Sequence, residues 1–203
     1  MKTVILGWGS LLWDRRSNFE EQHGDWLFDG PNLKLEFSRI SQTRNGALTL
    51  VLDYYNGTCC QVAYTLSKRK CPNDAICDLR SREGTTLRNI GFYFADESLK
   101  NCYEEAFNNI HEEAFNNIKN WAIKCKIDVV IWTDLQSNFQ DKTDNPFSID
   151  NALAYLQNLN NEGKVKAAEY IRLAPKFINT ALRKALQTQP WFTKQNFGES
   201  KDV

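Results

Sequence analysis

A short apolar run, Val4-Ile5-Leu6, breaks at once into Gly7-Trp8-Gly9-Ser10-Leu11-Leu12-Trp13. No other stretch of the chain constrains its fold and function as strongly. The run reads as a first strand, and two glycines around a tryptophan turn it sharply. Glycine adopts backbone geometries that other residues resist and lets a ligand approach the main chain closely. Successive N–H groups in such a turn converge on an anion, so a carboxylate or phosphate is its natural guest. Taken alone, the pattern fits a tight turn around a buried aromatic better than it fits a binding site, because short motifs recur by chance.

The next segments extend the β-structure. Leu33-Lys34-Leu35-Glu36-Phe37 alternates apolar and polar residues, the period of a half-buried strand. Ala47 to Leu52 is nearly continuous and follows the turn signal Asn45-Gly46, and Cys60 to Leu66 follows Asn56-Gly57. Three strands with short connections imply an antiparallel sheet or a small barrel. A helix is expected from Pro72 to Gly84, with Asp74 as candidate cap and Ala75, Ile76, Leu79 and Arg82 at helical spacing. Ile90 to Phe94 and Asp128 to Thr133 read as further strands.

Between those two strands a long helix is expected from about Asp96 to Lys124, striped by Phe107, Ile110, Ala114, Ile118 and Trp121. Inside it Glu104-Glu105-Ala106-Phe107-Asn108-Asn109-Ile110 recurs as Glu112 to Ile118, a local duplication too short for a solenoid. Three helices are expected to close the chain, Ser148 to Leu159, Glu162 to Leu173, and Pro175 to about Gln187, with Pro175 in a first helical turn. No Pro/Ser-rich linker interrupts the 203 residues. The expected architecture is a single α+β domain over residues 1–190, with residues 191–203 a flexible polar tail.

Charge and cysteines narrow the function. Lys+Arg and Asp+Glu each number 25, so bulk electrostatics favours neither a nucleic-acid nor an anionic-membrane partner. Six cysteines form no C-x-x-C pair, and neither His23 nor His111 lies near a cysteine pair, which argues against zinc. Reduced thiols in a cytoplasmic protein fit the spacing better. Met1-Lys2 and the apolar run mimic a signal peptide, but Gly7, Gly9 and Ser10 interrupt it and Asp14-Arg15-Arg16 follows, so a strand and turn is preferred. No apolar run reaches the roughly 18 residues of a membrane span.

The second informative segment is Leu79-Arg80-Ser81-Arg82-Glu83-Gly84, which alone reads as the charged end of a helix. Together with Gly7-Trp8-Gly9-Ser10-Leu11-Leu12-Trp13 it resembles the γ-glutamylcyclotransferase-like superfamily, including its ChaC-type branch. Those proteins open with a strand and a Gly-Tyr-Gly-Ser-Leu loop, and carry a catalytic glutamate in an Arg-Glu pair after a leucine. Val62-Ala63-Tyr64, Arg44-Asn45-Gly46 and Val129-Val130-Ile131 echo later strands of the family. The resemblance covers about residues 3–135. Two positions depart from it: Trp8 stands for the usual tyrosine, and Gly84-Thr85-Thr86 replaces the branch's Lys-x-Gly-Tyr. The substrate within the superfamily therefore stays open.

The resemblance implies a small mixed or antiparallel β-barrel with flanking helices, acting on a small γ-glutamyl substrate without metal or cofactor. Glu83 is the implied general acid/base, and Gly7, Trp8, Gly9, Ser10 and Leu11 the implied substrate-binding turn. A base of this kind works best desolvated, and Arg80, Arg82 and Arg88 oppose that if their guanidinium groups come close. Neighbouring helical residues point in different directions, so Arg82 need not touch Glu83. Ser10 or a Cys59/Cys60 nucleophile is disfavoured, since no G-x-S-x-G elbow exists and histidines are few. The alternatives to an enzyme are a non-catalytic binder of small carboxylates on the same fold, or a protein-interaction module using the long helix.

Overall fold

The computed structural model describes residues 1–15, 17–96 and 110–193. It is mixed α+β. Among the described residues the strands are β1 (Thr3–Gly7), β2 (Asn32–Ser41), β3 (Ala47–Leu52), β4 (Thr58–Gln61), β5 (Ala63–Leu66), β6 (Ile90–Phe94) and β7 (Val129–Thr133). The helices are α1 (Pro72–Glu83), α2 (Glu112–Cys125), α3 (Phe139–Thr143), α4 (Ile149–Asn158), α5 (Asn161–Leu173), α6 (Ala181–Leu186) and α7 (Pro190–Thr193). The chain divides into two compact units, Met1–Leu33 with Gln61–Leu135, and Lys34–Cys60 with Gln136–Val203.

The first unit is built on a four-stranded sheet of order β5-β1-β7-β6. β1 runs parallel to β7 with Ile5 beside Ile131, and antiparallel to β5; β6 runs antiparallel to β7. Val129 to Trp132 are buried on both faces, as the unbroken apolar run of a central strand requires. Along β7, alternate residues serve opposite faces. Val129 and Ile131 join Ile5, Ile90, Phe92 and Phe94 in a core with Ala75, Ile76 and Leu79 of α1. Trp132 instead meets Phe115 of α2, whose ring also contacts Tyr93. Ala114, Ile118 and Ala122 are the buried residues of α2, and Trp121 stacks edge-on with Tyr64 and donates to the Asp29 carbonyl at 3.2 Å.

Two expectations for this unit need correction. Cys60 to Leu66 is not one strand: it divides at Val62 into β4 and β5, which belong to different sheets. Val62 is taken by another segment, donating to the Pro31 carbonyl and accepting from the Gly30 N–H, both at 3.0 Å. The long helix also does not run unbroken from Asp96. Asp96 and Ile110 lie in bends, and α2 starts only at Glu112 because His111 is extended and its Nδ1 accepts the Glu113 N–H, capping the helix there. Phe107 and the first copy of the duplicated segment, from Glu104 to Asn109, lie outside the described residues.

The second unit carries the sheet β3-β2-β4, with β2 and β3 antiparallel and a register shift between Phe37 and Arg39. Ser148 caps α4 through the Asn151 N–H, one residue before the expected helix becomes regular. Pro175 does not open the last long helix. That helix starts at Ala181, capped by Thr180, because the Arg183 guanidinium draws the carbonyls of Ala174, Pro175 and Ile178 to 2.7, 2.6 and 2.8 Å and holds that segment non-helical. Two short helices, α3 and α7, lie outside the expected helical segments. Residues 191–193 belong to α7, and the rest of the expected tail lies outside the described residues.

Glu36, in β2, is fully buried in this unit. Its Oε1 accepts the Phe37 N–H at 2.8 Å and its Oε2 the Leu182 N–H at 3.3 Å, with Thr180 as a further hydrogen-bond partner. Burial raises its carboxyl above the ordinary value, and the three hydrogen bonds pull the other way. Asp53, also buried, adds to the rise.

Candidate functional site

The candidate site lies within the first unit, at the end of the sheet where β1 stops. Gly7 closes β1, and a Cβ there would sit 2.6 Å from the Trp26 ring, so only glycine leaves room for that indole. Trp8 is buried, and Ser10–Leu12 forms a 3-10 turn. The N–H groups of Leu12 and Asp14 close onto the carbonyls of Gly9 and Ser10 at 3.0 and 2.8 Å. At the start of such a turn, the N–H groups of Gly9, Ser10 and Leu11 have no carbonyl within the turn to donate to.

α1 reaches the same place from the other side of the chain. It ends at Gly84, whose positive φ of 59° lets the last carbonyls be capped, the Schellman-like stop that glycine favours. Asp74 is not its cap: Cys71 occupies that position and Asp74 sits inside the first turn. Ala75, Ile76 and Leu79 anchor the helix on the sheet. Three and four residues past Leu79 come Arg82 and Glu83, which continue the inward face.

Arg82 is the residue that brings the two segments together. Its side chain is 3% exposed, and one guanidinium nitrogen donates to the Ser10 carbonyl at 3.0 Å and the Asp14 carbonyl at 2.6 Å. Its other terminal nitrogen stands 3.6 Å from Glu83 Oε1. Glu83 is 17% exposed, mostly enclosed yet reachable from solvent. Of the two options that helix geometry left open, contact between Arg82 and Glu83 is the one found. It is the arrangement that opposes a desolvated general base, and it makes Glu83 one half of an ion pair.

Thr133 was not singled out in the sequence. It ends β7 two residues beyond Ile131, as Gly7 ends β1 two residues beyond Ile5. Its Oγ1 is buried without a hydrogen-bond partner. The next residue, Asp134, is also buried, and its N–H donates to the Asn89 carbonyl at 2.8 Å, tying the chain after α1 to the end of β7.

His23 Nδ1 donates to the Gly24 carbonyl at 2.6 Å, and His111 caps α2; no bond joins either to Ser10. Burial pushes the Cys60 thiol up, away from the reactive thiolate, while Cys59 on the opposite strand face is exposed. Among the described residues no cluster of three His, Cys, Asp or Glu side chains is arranged for a metal, and no helix is long and apolar enough to cross a membrane. Neither a family model nor a curated protein matches the chain.

Proposed function

We propose that this protein is a γ-glutamyl cyclotransferase, releasing 5-oxoproline from a γ-glutamyl amine or peptide. The observation that carries the reading is the Arg82 guanidinium, which holds the Ser10 and Asp14 carbonyls while lying 3.6 Å from Glu83. An early glycine turn and an acid some seventy residues later thereby meet at one place, as the resemblance of the two segments to the superfamily implies. The barrel closure and the cytoplasmic setting implied by that resemblance belong to the same proposal.

The substrate's α-carboxylate sits against the N–H groups of Trp8 to Leu11, where a turn of this kind accepts an anion. Its α-amine attacks its own γ-carbonyl, forming the ring C–N bond, and the γ-amide C–N bond breaks. Glu83 takes the two protons that the α-nitrogen sheds, one from the α-ammonium before attack and one as the ring nitrogen becomes an amide. It passes them in turn to the departing nitrogen, which leaves as an ammonium; the carboxylate is regenerated and charge balances. Attack and departure are within one molecule, which makes holding the amine in line with the carbonyl a large share of the task. Arg82 serves the turn rather than the reacting atoms, and is a positioning residue.

The test is a panel of γ-glutamyl amines and dipeptides, glutathione included, incubated with the pure protein and assayed for 5-oxoproline by mass spectrometry. The reading predicts product from at least one member. Silence across a broad panel overturns it and leaves a binder of small carboxylates.

A further inference from the structure

Three rows of core residues end together at the candidate site. On β1 the row is Ile5 then Gly7; on β7 it is Val129, Ile131 then Thr133; on α1 it is Ala75, Leu79 then Glu83. The bonds from Arg82 to Ser10 and Asp14 fix the carboxyl end of α1 at the carboxyl end of β1, and β1 is parallel to β7. Thr133 therefore ends the β7 row as Gly7 ends the β1 row, each two residues past the Ile5–Ile131 pair, on the face that α1 covers.

The hydroxyl is in an unusual position there. Its oxygen is buried and without a partner, although the residue as a whole is only half-buried. A hydroxyl removed from water and left unbonded costs stability, commonly about 1–3 kcal/mol in proteins. Threonine has three staggered χ1 wells, so a turn of about 120° exchanges the hydroxyl with the methyl or hydrogen position and can bring it to the open side. A half-exposed threonine whose hydroxyl gains nothing from the protein is suited to give its hydrogen bond to a ligand.

We propose that Thr133 is a specificity-determining residue of the site, its hydroxyl donating to the ligand's carboxylate beside the Gly7 turn. The proposal rests on the cyclotransferase reading and names a side chain that strengthens binding of ligands bearing the carboxylate over those lacking it. The ligand class is a compact amino acid derivative with a free carboxylate.

The probes are 5-oxoproline and its counterpart without the carboxylate, pyrrolidin-2-one, each titrated by calorimetry against the full chain. Thr133→Val keeps the shape and deletes the hydroxyl. It is expected to weaken 5-oxoproline binding by about 10-fold, as for a hydrogen bond to a charged group, and to leave the weak pyrrolidin-2-one binding unchanged. Thr133→Ser is expected to retain 5-oxoproline binding. Without ligand, Thr133→Val is expected to melt about 2–4 °C above the wild type, since an unbonded hydroxyl is removed from the fold. Equal binding of 5-oxoproline by wild type and Thr133→Val, or a lower melting temperature for the unliganded variant, overturns the proposal. If the wild type neither binds 5-oxoproline nor forms it from any substrate, the cyclotransferase reading falls, and Thr133 with it. If the wild type turns over and only the Thr133 variants behave as wild type, the Thr133 proposal alone falls.

Discussion

Glu36 and Glu83 are two acids taken out of water in different ways. Glu36 is sealed in the second unit, with its oxygens accepting from Phe37 and Leu182 N–H groups and with Thr180 alongside. Glu83 ends α1 in the first unit, 17% exposed, beside an arginine whose hydrogen bonds go to the main chain of a turn. The first acid is bound by the fold's own backbone donors and holds the start of α6. The second keeps partial access to solvent at the end of a sheet. The two carboxyls are therefore enclosed differently, one satisfied by backbone donors and the other paired with a side chain and partly open.

Three experiments press on that difference. The largest expected effect is on stability, from Glu36→Leu. The substitution leaves the Phe37 and Leu182 N–H groups without their acceptor in a dry interior, and is expected to cost about 3 kcal/mol in denaturant unfolding. Stability within 0.5 kcal/mol of wild type, in order-of-magnitude terms, would remove Glu36 from its structural role.

Next comes Arg82→Leu, which releases the Ser10 and Asp14 carbonyls together. It is expected to cost about 2 kcal/mol of stability and to lower kcat/KM by about 100-fold, because the turn and Glu83 lose their common anchor. Unchanged kinetics in a folded variant would separate the turn from the reaction.

The smallest effect is a pH slope from Glu36. Its folded carboxyl is raised above the ordinary 4.5, chiefly by burial, so between 4.5 and the raised value the folded state holds more protons than the unfolded state. Stability then falls as pH rises through that window, by up to about 1.4 kcal/mol per pH unit for one proton. Chemical denaturation across this range checks it; a stability that rises with pH, once other carboxylates are matched by a Glu36→Gln control, contradicts the assignment.

Much of the site's local structure was legible, and its assembly was not. The Gly7 to Trp13 turn, the helix stopping at Gly84 and the strand Ile90–Phe94 each follow from chemistry within a few residues. The division of the chain at Val62 does not, because Cys60 to Leu66 is uniformly suited to strand and the break comes from Gly30 and Pro31. The delayed start at Ala181 similarly needs the Arg183 guanidinium, which gathers carbonyls that a helix beginning at Pro175 would use itself. Arg82 was visible only as one arginine among several, since its bonds span about seventy residues of chain. Thr133 gave no signal at all: its place depends on the pairing of β1 with β7.

The central claim is that Glu83 moves the proton in a site closed by the glycine turn. The most direct measurement is turnover by Glu83→Gln on whichever γ-glutamyl compound the wild type converts, paired with calorimetric binding of 5-oxoproline to the same variant. The account predicts that 5-oxoproline formation is lost while binding and folding persist. A variant that releases 5-oxoproline at the wild-type rate contradicts it.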